Sequence, residues 1–546
     1  MGSLASNSLA QASNREYVTK PLTERGNSYF RIFRAVPNRD WPGEANVHFA
    51  ALYLSRQSAS EVRLAQSHTS SKSDALAVSV ATISSYLDEY PDFDLVGLPS
   101  EVPSAWQGFI LRGNFSIHRQ PDESPFGAIE QIPESERDAL AGYLNTHAIQ
   151  RKPRPTPPDV VIDFFEPIRK QGLEDASSDQ QREWLEENYP VLLDQLQSRS
   201  PHAPDDSCVY EQRMELEDSQ SNLPHKERWW LFGSVRHGLR DAWEEEKEFT
   251  AFPRVTKIWS PLRIQKHVSI PGAEKGLRIC PMDKIFVAPK FRGFHLAVCS
   301  SFLFEMFTRR RCGTLKSDLN FSPTDVFPYF PWPWKPEAGT EQLTIGEPPN
   351  QTRESLKEAV DELLDLRTDI LENPNSHGLS RSVVGGPTDL YNLYDADPER
   401  DDAPQEAASS AIEKLRQAHV DLLDAVLRAY GWTGIANDLS REDWTFDRPW
   451  LDRTQRFVPP EPVRAELFSR LDDLNSERFE LERDMMIGLI GENLPEDGLT
   501  KTDFREEEPF SEMPIDEHQF EAFMEHEEQK MGDSRVKKEG YRWYAN

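Results

Sequence analysis

Apolar residues come in short bursts through the first half of this chain and in helical stripes toward its end. Tyr29-Phe30-Arg31-Ile32-Phe33-Arg34 and Val47-His48-Phe49-Ala50-Ala51-Leu52-Tyr53-Leu54 are aromatic-rich runs bounded by turn residues, the pattern of strands. Residues 1–28 are polar and without period, so a tail is expected there. Ser55–Asp74 is a polar excursion, and Ala75–Leu87 suits either a strand or a short helix. Trp106–Leu111 is strand-like, and Val160–Phe165 fits a strand buried on both faces, entered through the stiff Pro-rich stretch Arg151–Pro158. A helix is expected over Asp179–Leu196, broken or kinked at Pro190.

From Trp229 the apolar runs shorten again. Lys284-Ile285-Phe286-Val287 and Leu296-Ala297-Val298 are separated by Pro and Gly, which predicts a β-rich module with one helix near Ser300–Thr308. Beyond Pro336 the period becomes helical. Ile412, Leu415, Leu422, Val426 and Leu427 share one helix face that ends at Gly431. Val463, Leu467, Leu471 and Leu474 make a second stripe, with Pro462 in its first turn. The expected division is a tail (1–28), an α/β segment (29–168), an acidic linker with a helix (169–224), a β-rich module (225–336), a helical region (337–496) and an acidic mobile tail (497–546). The fold class is α/β plus α.

Charge changes this picture most. The 546-residue chain carries a net charge of −31, yet residues 249–335 hold fourteen basic and five acidic side chains, a local +9. A concentrated positive region on an anionic protein suits a polyanion that docks at one place, because the remaining surface repels it. Double-stranded DNA is the expected partner. The contact residues expected from this segment are Arg254, Lys257, Lys266, Lys284, Lys290, Arg292, Lys316 and the triplet Arg309-Arg310-Arg311, whose planar guanidinium groups suit phosphate and guanine edges. Trp229, Trp230, Trp332 and Trp334 fit packing at a domain edge better than base stacking.

Catalytic and metal chemistry is harder to find. The chain contains no Walker loop, no G-x-G-x-x-G, no G-x-S-x-G and no H-E-x-x-H. Glu244-Glu245-Glu246 reads as a solvated helix face, and His237 and His295 stand alone. Cys208, Cys280, Cys299 and Cys312 have no C-x-x-C spacing, so neither zinc nor a disulfide framework is expected. No window of about 18 apolar residues occurs, nor a secretory leader. Met1-Gly2-Ser3-Leu4-Ala5-Ser6 fits a myristoylation pattern but lacks a polybasic second anchor. A cytoplasmic location is the expectation.

A set of short motifs follows in a fixed order. They are Trp41-Pro42-Gly43-Glu44-Ala45-Asn46-Val47, Trp106-Gln107-Gly108-Phe109, Tyr143-Leu144-Asn145, Val161-Ile162-Asp163-Phe164, Trp229-Trp230 and Phe327-Pro328-Tyr329-Phe330-Pro331. Gly386-Pro387-Thr388-Asp389-Leu390-Tyr391-Asn392, Leu422–Trp432 and Arg470–Arg478 continue the series. Over residues 29–482 the chain resembles the C-terminal half of large DNA adenine-N6 methyltransferases, those of Type IIL (MmeI-like) restriction–modification enzymes and of phage-defence systems such as DISARM. The resemblance implies that residues 29–168 hold the last strands of a methyltransferase sheet and a connector. It also implies a target recognition domain at about Trp229–Trp334, with Arg254 and Lys257 in its opening element, followed by a helical C-terminal domain.

Two features of that family are missing from these 546 residues: the glycine loop that binds S-adenosylmethionine and the N-P-P-[YF] tetrapeptide that holds a flipped adenine. The one Asn-Pro pair is Asn373-Pro374, followed by Asn375. The resemblance therefore implies a methyltransferase split between chains, with S-adenosylmethionine and the catalytic tetrapeptide on a partner subunit and DNA reading on this one. The competing reading is a non-catalytic scaffold or DNA-binding decoy in the same kind of system. The apolar run Val47–Leu54 favours the split, since it would leave an open sheet edge for another chain to cover.

Overall fold

The computed structural model describes residues 2–6, 15, 19–20, 31–40, 48–55, 62–65, 77–80, 83–88, 90, 92, 95–100, 102, 104–152, 154–203, 207–270, 273–315, 318–339, 342–449 and 454–490. Outside them lie most of the expected N-terminal tail, the Trp41–Asn46 motif, most of the polar excursion, Lys316 and the acidic 497–546 stretch.

The first sheet joins β1 (Gly2–Ser6), β2 (Arg31–Asp40), β3 (His48–Ser55), β4 (Val62–Ala65) and β5 (Ala77–Val80) in the order β1-β3-β2-β4-β5. All its pairs are antiparallel except β2 with β4. The apolar run expected to leave an open edge is β3, and it lies between two strands: Gly2 opposes Tyr53 through to Ser6 opposing Phe49, with β2 on the other side. That expectation is corrected, because the chain's own residues 2–6 cover the edge. Among the described residues β1 and β5 are the sheet's margins.

The segment after residue 104 pairs with strands far along the sequence. Trp106–Gln107 form β6, Leu140–Leu144 form β7, Thr146–Arg151 form helix α1, and Asp159–Ile162 form β8. Asn145 caps α1, its Oδ1 accepting from Ala148 N at 2.9 Å. Helices α2 (Ser178–Asn188) and α3 (Pro190–Gln197) follow, broken at Pro190, which stands in the first turn of α3 where its missing N–H costs nothing. After α4 (Val209–Met214), α5 (Leu223–Glu227) and α6 (His237–Trp243) come β9 (Glu248–Pro253), β10 (Val255–Thr256), β11 (Leu262–Gln265), β12 (His267–Ile270), β13 (Ala273–Pro281) and β14 (Ile285–Ala288).

These strands form two four-stranded sheets, β11-β9-β14-β6 and β12-β13-β7-β8. In the second, β13 runs parallel to β7, with Arg278 opposite Ala141. Backbone pairing therefore crosses the expected divide between 29–168 and 225–336: the β-rich module takes strands from both. The stretch expected to be an acidic linker packs here too, since Leu185, Leu192, Leu193 and Leu196 share one core with Trp229, Trp230 and Trp243.

At the centre of this module sits Asp163, just past the end of β8 and only 1% exposed. Arg240 of α6 donates to both its oxygens at 2.9 Å, and Arg278 of β13 donates to Oδ2. Arg240 also reaches Glu166 at 2.9 Å. Burial alone would raise the Asp163 pKa, but the two guanidinium groups outweigh it and hold the carboxyl below the usual range.

A second core joins α7 (Gly293–Ser300) and α8 (Phe302–Arg311) to the aromatic–proline run, with Phe327, Phe330, Trp332 and Trp334 all buried. Gly313–Leu315 (β15) and Asp318–Asn320 (β16) make a small sheet with β10, in the order β10-β16-β15. Helices α9 (Asn350–Glu372), α10 (Pro387–Tyr394), α11 (Ser410–Ala429) and α12 (Glu461–Ile490) complete that core. The stripe from Ile412 to Leu427 faces it, and Gly431 ends the helical run at φ +74°. Asn475 of α12 exchanges hydrogen bonds with Val96 N and O, both at 3.0 Å, and donates to Tyr329 O at 2.9 Å. Tyr430 donates to Pro331 O at 2.8 Å. No helix among the described residues is long and apolar enough to cross a membrane.

Two outcomes follow from the buried charges. Asp163→Ala leaves buried Arg278 with no carboxylate in reach and Arg240 with Glu166 alone, so denaturant unfolding should register a loss of about 3–5 kcal/mol; an unchanged midpoint would mean the cluster is solvated. His295, enclosed by Phe291, Phe294, Trp332 and Trp334, is pushed down to about 3 by burial and by Arg292. The unfolded chain binds that proton near pH 6.5 and the folded chain does not. Stability is therefore intact above about pH 6.5 and falls as pH drops toward 3, by about 1.4 kcal/mol per unit for this group. His295→Leu should flatten the slope in a pH series of thermal melts.

Candidate nucleic-acid interface

Among the described residues many arginines are paired with carboxylates, so a polyanion would meet the cations that have none. Pro253 ends β9. The next residue, Arg254, uses its backbone on both sides: N donates to Lys284 O at 2.9 Å, and O accepts from Phe321 N at 2.7 Å. Its side chain is left to solvent. Lys284, on the turn between β13 and β14, is exposed directly opposite. Gln150 Nε2 donates to Val255 O at 2.9 Å, which brings the end of α1, with exposed Arg151 and Lys152, against the same strand. Lys257 extends the line, Nζ donating to Asn392 Oδ1 of α10 at 3.2 Å. Among the described residues none of these five cations has a carboxylate within 4 Å.

The turn that carries Lys284 is braced from below. Gly108 N donates to Ile285 O at 2.9 Å and Phe109 N to Pro281 O at 2.8 Å. A Cβ on Gly108 would stand 2.2 Å from Met282 O, so only glycine lets the strand approach this closely. Gln107 Nε2 donates to Asp283 O at 2.9 Å. Arg236, in the left-handed region at φ +53°, donates to Gln107 Oε1 at 2.7 Å and Gly108 O at 3.0 Å. Backbone strain of this kind persists only where surrounding contacts fix it.

The other sequence-predicted contacts divide differently. Lys290 is exposed. Lys266 Nζ donates to Trp243 O at 2.7 Å and Glu244 O at 2.6 Å, closing the end of α6. Arg292 pairs with both oxygens of Glu246, at 2.7 and 3.1 Å. The triplet is turned inward, which corrects the expectation of an open cationic cluster. Arg309 holds Glu305 at 2.7 Å and Lys257 O at 3.0 Å. Arg310, its side chain 5% exposed, pairs with Asp88 at 3.1 Å and lies over the rings of Tyr86 and Phe468 at 4.4 and 4.7 Å. Arg311 donates to Asp325 O at 3.0 Å and stacks on Tyr329 at 4.0 Å. Lys316 lies outside the described residues. Arg151 and Lys152 were passed over as part of a Pro-rich connector, although the adjacent basic pair was there to see.

No family model and no curated protein matches the chain. Its fold is similar to that of a solved Type IIL restriction–modification enzyme, MmeI in complex with DNA, with a TM-score of 0.55 and 15% identity. The match covers 88% of this chain and 50% of MmeI, so the chain spans about half that enzyme's length. At this identity the shared property is the fold.

Replacing Arg254 and Lys284 together with alanine should weaken duplex binding and reduce the slope of log affinity against log salt by about 2, near one unit per lost phosphate contact. Arg310→Ala should leave that slope alone and lower the melting temperature instead. Anisotropy titrations at several salt concentrations separate the two; a slope unchanged in the double variant removes these residues from the interface.

Proposed function

We propose that this chain is the DNA-recognition subunit of an S-adenosylmethionine-dependent DNA adenine-N6 methyltransferase in a restriction–modification or phage-defence system. The observation that carries the reading is the row of unpaired cations, Lys284, Arg254, Arg151, Lys152 and Lys257, on a fold shared with a DNA-bound restriction–modification enzyme. Such a row neutralises phosphates and releases their counterions, which gives grip on a duplex irrespective of sequence. Base edges are then read by neighbouring polar side chains on the same rigid strands.

The methyl-transfer chemistry comes from outside these 546 residues, on a partner chain that holds S-adenosylmethionine and the adenine-binding tetrapeptide. The margin strand β5, which has a hydrogen-bonded neighbour on one side only among the described residues, supports this. DISARM-type and MmeI-type systems are the settings the motif order suggests.

The purified chain should bind duplex DNA and transfer no methyl group from labelled S-adenosylmethionine. Adding a companion chain that contains N-P-P-[YF] should restore transfer to adenine. Methylation by the purified chain alone would overturn the division of labour. Duplex binding with no gain on adding any such companion would favour the decoy reading.

A further inference from the structure

Among the described residues Arg213 is deeply buried with no carboxylate in reach. Arg213 of α4 is 1% exposed, and its Nη2 donates to Leu111 O and Leu231 O, both at 3.0 Å. Its Nε and Nη1 find no acceptor among the described residues, and no carboxylate there lies within 4 Å. Burial, and then the neighbouring Arg112, push its pKa down to about 10, so it remains charged at neutral pH. An uncompensated cation in the interior is costly, and proteins rarely keep one unless something answers it.

Two further positive or protonatable groups gather beside it. Arg112 is exposed, has no side-chain partner among the described residues and sits in the left-handed region at φ +55°. Gly233 makes room for it: a Cβ there would come within 2.6 Å of the Arg112 Cβ. His225 of α5 lies close enough for Arg213 and Arg112 both to depress its pKa, after burial. Two nearby acids are engaged elsewhere, Glu211 with Arg199 at 3.4 Å and Asp218 with Lys226 at 2.5 Å. Arg213 is bonded to the carbonyl of Leu111, next to the strained and exposed Arg112, so a solvent-facing guanidinium has a buried positive charge beside it, which suits a tetrahedral oxyanion.

We propose that Arg112 and His225, backed by Arg213, form a phosphate-type oxyanion site that takes a backbone phosphate of duplex DNA. The choice of DNA as the phosphate's source rests on the function proposed above; the oxyanion site itself does not. Arg112 and His225 make the contact, and Arg213 acts as a positioning charge.

Arg112→Gly is the informative variant, since glycine adopts the left-handed backbone without penalty and should fold at least as well as the parent. In the full chain it should weaken duplex binding several-fold and lower the salt slope by about one. Inorganic phosphate should raise the melting temperature of the parent more than chloride at equal ionic strength, and that difference should vanish in Arg112→Gly with His225→Gln. If the parent binds duplex and the double variant keeps both affinity and slope, the site is wrong while the recognition function stands. If the parent binds no duplex yet shows the phosphate effect through these residues, the oxyanion site stands with free phosphate as its ligand and the DNA assignment fails. No phosphate effect in the parent and no change in duplex binding would overturn the proposal entirely.

Discussion

A single buried carboxylate holds the module together. Asp163 follows β8, Arg240 belongs to α6 and Arg278 to β13, so one charge cluster fastens three stretches that are 38 to 115 residues apart in sequence. Each charge in it answers another, because a carboxylate or guanidinium left alone in that interior is expensive. Fixing β8 to β13 places β7 alongside, and the pairing of β7 with β13 delivers the turn at 281–284 to Gly108. The exposed row from Lys284 to Lys257 rests on that turn. Surface charge is thus displayed by a frame whose own charges are sealed inside.

The division between paired and unpaired cations organises the rest. A net charge of −31 supplies more than enough carboxylates to occupy the arginines, and among the described residues many arginines are so occupied. Arg309, Arg310 and Arg311 look from composition like a docking cluster, but they stitch α8 to the 86–90 segment, to the aromatic–proline run and to α12. Arg254, Lys284 and Lys257 stand at strand ends and turns of the β-rich module, and Arg151 and Lys152 at the end of α1 beside them. Sparse cations on a rigid frame suit defined phosphate positions better than a dense mobile patch would, since little side-chain or loop freedom is lost on binding.

Local pattern made much of the architecture legible. The break at Pro190, the α11 stripe ending at Gly431, and the helix after Ser301 follow from period, proline and glycine alone. Long-range pairing was not legible. Nothing in Leu140–Leu144 announces a parallel partner at 278–281, so the division of the chain into consecutive domains missed that its strands interleave. The motif order noticed in the sequence turns out to mark joints: Gly108 against Met282, Asp163 between its arginines, Asn475 bridging Val96 and Tyr329, Tyr430 on Pro331. Charge counting could not tell exposed Arg254 from buried Arg310, because partners such as Asp88 are more than 200 residues away in sequence.

Hydrogen–deuterium exchange on the full chain, with and without a short duplex, tests the central claim most directly. Slowed exchange confined to backbone around 106–112, 148–152, 253–257 and 281–285 is the expected footprint, with the acidic groove between α9 and α11, lined by Glu362, Asp365, Asp369 and Asp421, unaffected. Protection of that groove instead, or no footprint at low salt, would contradict the account.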